Sequence, residues 1–172
     1  MITAYKYLVY KMWRMCTVQR RRGAHMFRHF LLLAATVLAA TVSAPVSAKE
    51  LVVQMRNKGA AGLMVFEPAF VSAAVGDTVR FVPTDPGHNA EPIPGMLPAG
   101  VALSAGKMNQ AYVVKLTKPG VYGFKCLPHY GMGMVALVKA GKATPANLVT
   151  ASAVKTTPLA TKRLAPLFAQ AR

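Results

Sequence analysis

Acidic side chains are scarce in this sequence. Five carboxylates, Glu50, Glu67, Asp77, Asp85 and Glu91, stand against 21 lysines and arginines in 172 residues. They are dispersed, so no pair is placed for acid and base work, and neither a nucleophilic triad nor a phosphate-binding glycine loop is present. That leaves little basis for hydrolytic or phosphoryl-transfer chemistry. Cysteine is scarcer still, with only Cys16 and Cys126. Histidine occurs four times, at His25, His29, His88 and His129. Beyond residue 48 these fall to one cysteine and two histidines, which excludes an internal disulfide and any chemistry that needs a second cluster of imidazoles.

The first 48 residues differ from the rest. Arg20, Arg21, Arg22 and Arg28 precede an almost wholly apolar run from Phe30 to Ala44, which closes on Val46-Ser47-Ala48, a small-x-small pattern. The run falls short of the roughly 20 apolar residues that span a bilayer. A cleaved export signal is therefore expected over residues 1–48, leaving a domain of residues 49–172 with no stable membrane association. A signal starting at Met26 has ordinary length, so Met1 to His25 reads as an extension from an upstream start. The remaining domain keeps fourteen basic residues against the five acidic ones, a formal charge of +9. Export disfavours nucleic acid as the partner, and the lysines are scattered rather than clustered, so an acidic protein surface is expected to meet this one.

Cys126-Leu127-Pro128-His129-Tyr130-Gly131-Met132-Gly133-Met134 is the stretch that carries chemistry. It sets a thiolate, an imidazole and thioethers on one tight turn, and the remaining histidine, His88, lies on a loop upstream. A lone cysteine in an oxidising compartment is inert, hazardous or metal-bound, and its neighbours here favour the metal. One thiolate, two imidazoles and a thioether suit a copper ion, where a trigonal His2Cys plane carries a long axial Met. Structural zinc prefers more thiolates or four strong ligands. Spacing leaves the axial place open between Met132 and Met134, because Gly131 and Gly133 keep the turn supple. Such a site suits one-electron transfer. Oxidase or reductase chemistry needs further copper ions and histidines that the chain lacks, and a thiolate in a fixed turn retains a metal better than a store or chaperone should.

Short strands are expected around this turn. Glu50 to Arg56 alternates, with Leu51, Val53 and Met55 on one side, and Asn57-Lys58-Gly59 reads as its break. Met64 to Phe66, Phe70 to Ala74 and Thr78 to Val82 follow, with Gly76-Asp77 as a turn. Asn89 to Lys107 is loop-like. Ala111 to Leu116 and Val121 to Lys125 flank Thr117-Lys118-Pro119-Gly120 and read as a hairpin, and Met134 to Lys139 is the last strand. Together they predict an antiparallel β-sandwich of Greek-key type. Thr144-Pro145 and Thr157-Pro158 each predict a helix start, and Leu164, Leu167, Phe168 and Ala171 share one face of the second helix.

The sequence resembles the pseudoazurin family over nearly all of residues 49–172. The likeness rests on Asn57-Lys58-Gly59, Met64-Val65-Phe66-Glu67-Pro68-Ala69, Gly76-Asp77-Thr78-Val79, Gly87-His88-Asn89, Lys125-Cys126, Pro128-His129, Met132-Gly133-Met134 and Pro145-Ala146-Asn147-Leu148. It implies a mainly β fold, a cupredoxin (plastocyanin-like) sandwich of about eight strands with C-terminal helices over 144–171. It implies one type 1 copper held by His88, Cys126, His129 and Met134. It further implies a monomeric electron carrier of the periplasm, not an enzyme, exchanging electrons with copper nitrite reductase or c-type cytochromes. Leu127 and Pro86 depart from residues common in the family, Thr and Lys. Asn89 is expected to pin the His88 loop to the Cys126 turn and to donate its N–H to the sulfur. His129 is expected nearest the surface, with Met64 in an apolar patch and Lys58, Lys107 and Lys125 as a basic rim.

Overall fold

Leu51, Val53 and Met55 pack inward from β1 (Glu50–Gly59) while Val52 and Lys58 face solvent, the period-two pattern of a strand with one side on a core. The structure, a computed structural model, describes residues 47–172, and the export signal expected over residues 1–48 lies outside them but for its last two residues. The strands that follow are β2 (Gly62–Glu67), β3 (Phe70–Ala73), β4 (Thr78–Pro83), β5 (Glu91–Pro92), β6 (Tyr112–Lys115), β7 (Gly120–Lys125) and β8 (Val135–Ala140). Helices α1 (Leu148–Ser152) and α2 (Pro158–Gln170) end the chain, and a 3-10 turn at Tyr130–Met132 lies between β7 and β8.

Two four-stranded sheets form, in the orders β2-β1-β4-β6 and β3-β8-β7-β5. The expected sandwich of eight strands with two C-terminal helices is present, but it is not purely antiparallel. β1 runs parallel to β4, and β3 parallel to β8. The reason is topological: after the β1–β2 hairpin the chain crosses to the other sheet as β3, and it returns beside β1 in the same direction.

The predicted hairpin of residues 111–125 is also corrected. β6 pairs with β4, whereas β7 pairs with β5 and β8 in the opposite sheet. The Thr117–Pro119 turn is thus a crossing between layers. The Tyr122 hydroxyl secures it, donating to the Lys118 carbonyl at 2.7 Å and accepting from the Lys118 N–H at 3.1 Å. Nor does Asn57-Lys58-Gly59 break β1, which stays in register with β2 as far as Gly59 opposite Gly62.

Between the sheets Phe81 of β4 meets Phe124 of β7 at 4.7 Å and Phe66 of β2 at 5.5 Å. Burying each such ring contributes about 1.5–3 kcal/mol. The second sheet is covered on its outer face as well. All six residues of β8 are therefore buried, which hides the alternation a one-sided strand displays. Leu164 and Leu167 of α2, with Ala171 just past its end, supply that cover, and Phe168 packs beside them. Thr157 caps α2, its hydroxyl accepting the Ala160 N–H at 3.4 Å ahead of Pro158, as expected. α1, however, begins at Leu148 rather than after Thr144. Asn147 leads into it and spends its side chain on both backbone groups of Val121, at 2.9 Å each. Among the described residues no helix is long and apolar enough to cross a membrane.

Candidate metal centre

β7 delivers Cys126 to the end of the sandwich, and the chain turns back at once into β8. The turn is tied across its base by the Cys126 N–H to the Met134 carbonyl at 3.0 Å. Inside it, the Met132 and Met134 N–H groups both reach the His129 carbonyl, at 3.0 and 3.1 Å, and the Gly133 N–H reaches the Tyr130 carbonyl at 2.9 Å. His88 arrives from the loop between β4 and β5. Asn109 holds that loop, its side-chain oxygen accepting the Gly87 N–H at 2.6 Å and its own N–H reaching the His88 carbonyl at 2.8 Å.

These two segments bring three donors to one point. His88 Nδ1 and His129 Nδ1 stand 3.1 Å apart, and Cys126 Sγ lies 3.7 and 3.5 Å from them. A single ion bonded at about 2.0–2.3 Å holds such atoms roughly 3–4 Å from one another. His88 and Cys126 are fully buried, and His129 is half-buried. The two methionines left open by spacing separate clearly. Met134 is fully buried in the core cluster that contains Cys126, while Met132 is 42% exposed on the 3-10 turn.

Asn57, which the sequence presents as part of the break after β1, lies beside the candidate donors. Its side-chain oxygen lies 3.0 Å from His88 Nε2 and accepts a hydrogen bond from Nε2–H, which leaves Nδ1 with a free lone pair facing the sulfur. Burial pushes the His88 imidazole below its usual pKa, His129 adds to this, and Asp85 opposes it. Asn89 ties the His88 loop to the Cys126 turn. Its side-chain oxygen accepts the Leu127 N–H at 2.9 Å, and its amide donates to the Gly106 carbonyl and to Glu91. Burial pushes the Cys126 thiol above its ordinary value. The N–H groups of Asn89 and His129 pull it back, and the Glu91 carboxylate adds to the rise.

Around His129 the surface is apolar, with Leu127 54% exposed and Pro128 and Met132 beside it. Met64 is half-buried. Of the expected rim, Lys58 and Lys107 are exposed, but Lys125 is not a free charge. Its ammonium sits 4.0 Å from Glu91 and 5.1 Å above the Tyr130 ring, packed into the base of the turn.

The donor set fits copper. It offers one soft thiolate and two imidazoles with a buried thioether close by, and no carboxylate of the kind magnesium or calcium requires. Comparison with known proteins agrees. Residues 53–141 match the copper binding proteins of the plastocyanin/azurin family. Over 145 residues the chain is 48% identical to a pseudoazurin of Methylorubrum extorquens, covering 84% of this chain and 97% of that protein. A pseudoazurin of Paracoccus pantotrophus is 49% identical over 145 residues, covering 84% and 99%. The fold superposes on the crystal structure of pseudoazurin from Methylobacterium extorquens AM1 with a TM-score of 0.69 at 51% identity, covering 72% of this chain and 99% of that one. For the pseudoazurin of Hyphomicrobium denitrificans the TM-score is 0.66 at 50% identity, with 70% and 97% covered. The chain belongs to the pseudoazurins, copper electron carriers of the plastocyanin/azurin family, and copper is its metal.

Proposed function

We propose that His88, Cys126, His129 and Met134 hold one copper ion as a type 1 centre, and that the protein shuttles single electrons in the periplasm. The observation that carries this reading is the convergence of two imidazole Nδ1 atoms and one thiolate within 3.1 to 3.7 Å, beside the buried Met134. When bound, copper would supply a one-electron couple whose potential would follow the sulfur's hydrogen bonds and the fourth donor, Met134. The chain's part is to keep the donors still. Asn57 orients His88, Asn89 ties the two loops, and the Cys126–Met134 backbone bond closes the turn. Little rearrangement is then needed when the charge on the site changes.

His129 is the donor that approaches the surface, and its apolar surroundings suit close contact with a redox partner. A copper nitrite reductase or a c-type cytochrome with an acidic docking face fits the basic chain, and the protein acts as a monomeric carrier rather than as an enzyme. Export with cleavage near residue 48 leaves residues 49–172 as the working domain, which N-terminal mass analysis of the secreted product tests. The ligand assignment is tested by visible and EPR spectra of the copper-loaded protein. An intense blue colour that bleaches reversibly on reduction is expected, lost in Cys126→Ser and altered in Met134→Leu but not in Met132→Leu. A Cys126→Ser variant that kept the colour would overturn it.

A further inference from the structure

The C-terminal helix reaches into the turn that carries the donors. Arg163 of α2 sends Nη1 to two backbone carbonyls, Met64 at 2.9 Å and Gly133 at 3.1 Å, and Nη2 to the Leu63 carbonyl at 3.0 Å. One guanidinium thus joins the β1–β2 hairpin to the residue directly before Met134. Its neighbours make the junction tight. Gly133 has φ +76°, and a β-carbon there would lie 2.9 Å from Leu159 Cγ and 3.0 Å from both the Leu159 carbonyl and Arg163 Cδ. Met64 itself sits at φ +49°, a conformation that a residue with a side chain holds only when its surroundings impose it. A second tie runs from the Thr157 hydroxyl to the Tyr130 carbonyl at 3.0 Å.

We propose that Arg163 is a positioning residue for the copper centre: by holding the carbonyls of Leu63, Met64 and Gly133 together it fixes where Met134 stands relative to Cys126. The planar fork of an arginine is what permits three carbonyls from two segments to be held at once, and a lysine in its place supplies only a point charge. This inference rests on the assignment of Met134 as the fourth donor. Lys162, the next cation on the helix, is exposed and makes no such bond among the described residues, so it serves as the control.

The test compares Arg163→Lys and Arg163→Gln with Lys162→Gln in the full chain. Amide hydrogen exchange of the metal-free protein reads the hold on the turn directly. The Gly133 and Met134 amides are expected to exchange about tenfold faster in both Arg163 variants, the scale of one lost charge-assisted hydrogen bond, while the Leu164 and Leu167 amides of α2 keep their rates. EPR of the copper-loaded variants is expected to shift in the copper hyperfine coupling, and Lys162→Gln to change neither readout. Equal acceleration in the turn and in α2 would make Arg163 a general stabiliser and overturn the proposal. Unchanged exchange in the turn would overturn it too, as would an unchanged EPR spectrum. If the parent protein failed to develop thiolate colour with copper, the ligand assignment would fall, while exchange in the metal-free chain would still report whether Arg163 holds the turn.

Discussion

Asn57 illustrates how one side chain sets the chemistry of another. By accepting a hydrogen bond from His88 Nε2–H it selects the tautomer whose Nδ1, which faces the sulfur, is unprotonated. Replacing it with leucine should leave the fold intact and weaken copper binding about 10- to 100-fold, measured by competition with a chelator of known affinity. Asp77 acts on stability instead. Its carboxylate accepts the N–H groups of Lys49 at 2.9 Å and Ala74 at 2.8 Å, and these bonds hold its pKa below the ordinary 3.8. Because the folded value is the lower one, the stabilisation is complete above the ordinary value and is lost as pH falls through the folded one. The metal-free protein should therefore melt above its Asp77→Asn variant at neutral pH, and the gap should close progressively in acid below pH 3.8. A gap independent of pH would assign the effect to packing.

Among the elements, α2 bears most directly on the site, since its first turns press on Gly133. Gly133→Ala imposes a left-handed conformation on a residue with a side chain, which costs about 1–2 kcal/mol, and adds a collision with the Leu159 carbonyl. Denaturant unfolding of the metal-free protein should register at least that loss. The start of α2 was legible from Thr157-Pro158, and its buried stripe from Leu164, Leu167 and Ala171, because capping and helical period are local signals. Leu51, Val53 and Met55 announced β1 in the same way. The sequence of residues 111–125 mimics a hairpin because a Pro-Gly turn has the same chemistry whether the next strand pairs with the last one or crosses to the facing sheet. What decides is the burial of Val114 and Leu116 in one layer and of Gly120 to Phe124 in the other. Glu91-Pro92 is too short to give a period, so in the sequence β5 reads as loop. Cys126 and His129 are plain in the turn and Met134 is one of two candidates there until burial separates it from Met132, while the parts of Asn57, Asn109 and Arg163 depend on contacts between residues 30 or more apart, or on a loop with no repeat.

Over the whole molecule the formal +9 of residues 49–172 is spread over the surface, with Lys58 and Lys107 exposed and Lys125 withdrawn toward Glu91. Electron transfer to an acidic partner should slow as salt is raised, since exposed charges are screened over about 8–10 Å at 0.1–0.15 M. Lys58→Gln and Lys107→Gln should lower the bimolecular rate at low salt and converge with the parent at high salt, whereas Lys125→Gln should have little effect on that slope. Stopped-flow rates against ionic strength decide this. The order of the donors along the chain has a consequence for biogenesis. Three of the four proposed donors, Cys126, His129 and Met134, lie within nine residues and only His88 comes from elsewhere, so an unfolded polypeptide already offers most of the proposed ligand set on one short segment. Metal that binds the denatured ensemble adds less to folding stability than its affinity for the native state implies. Chelator-controlled melting should accordingly find copper raising the stability of this protein by less than its dissociation constant alone would dictate.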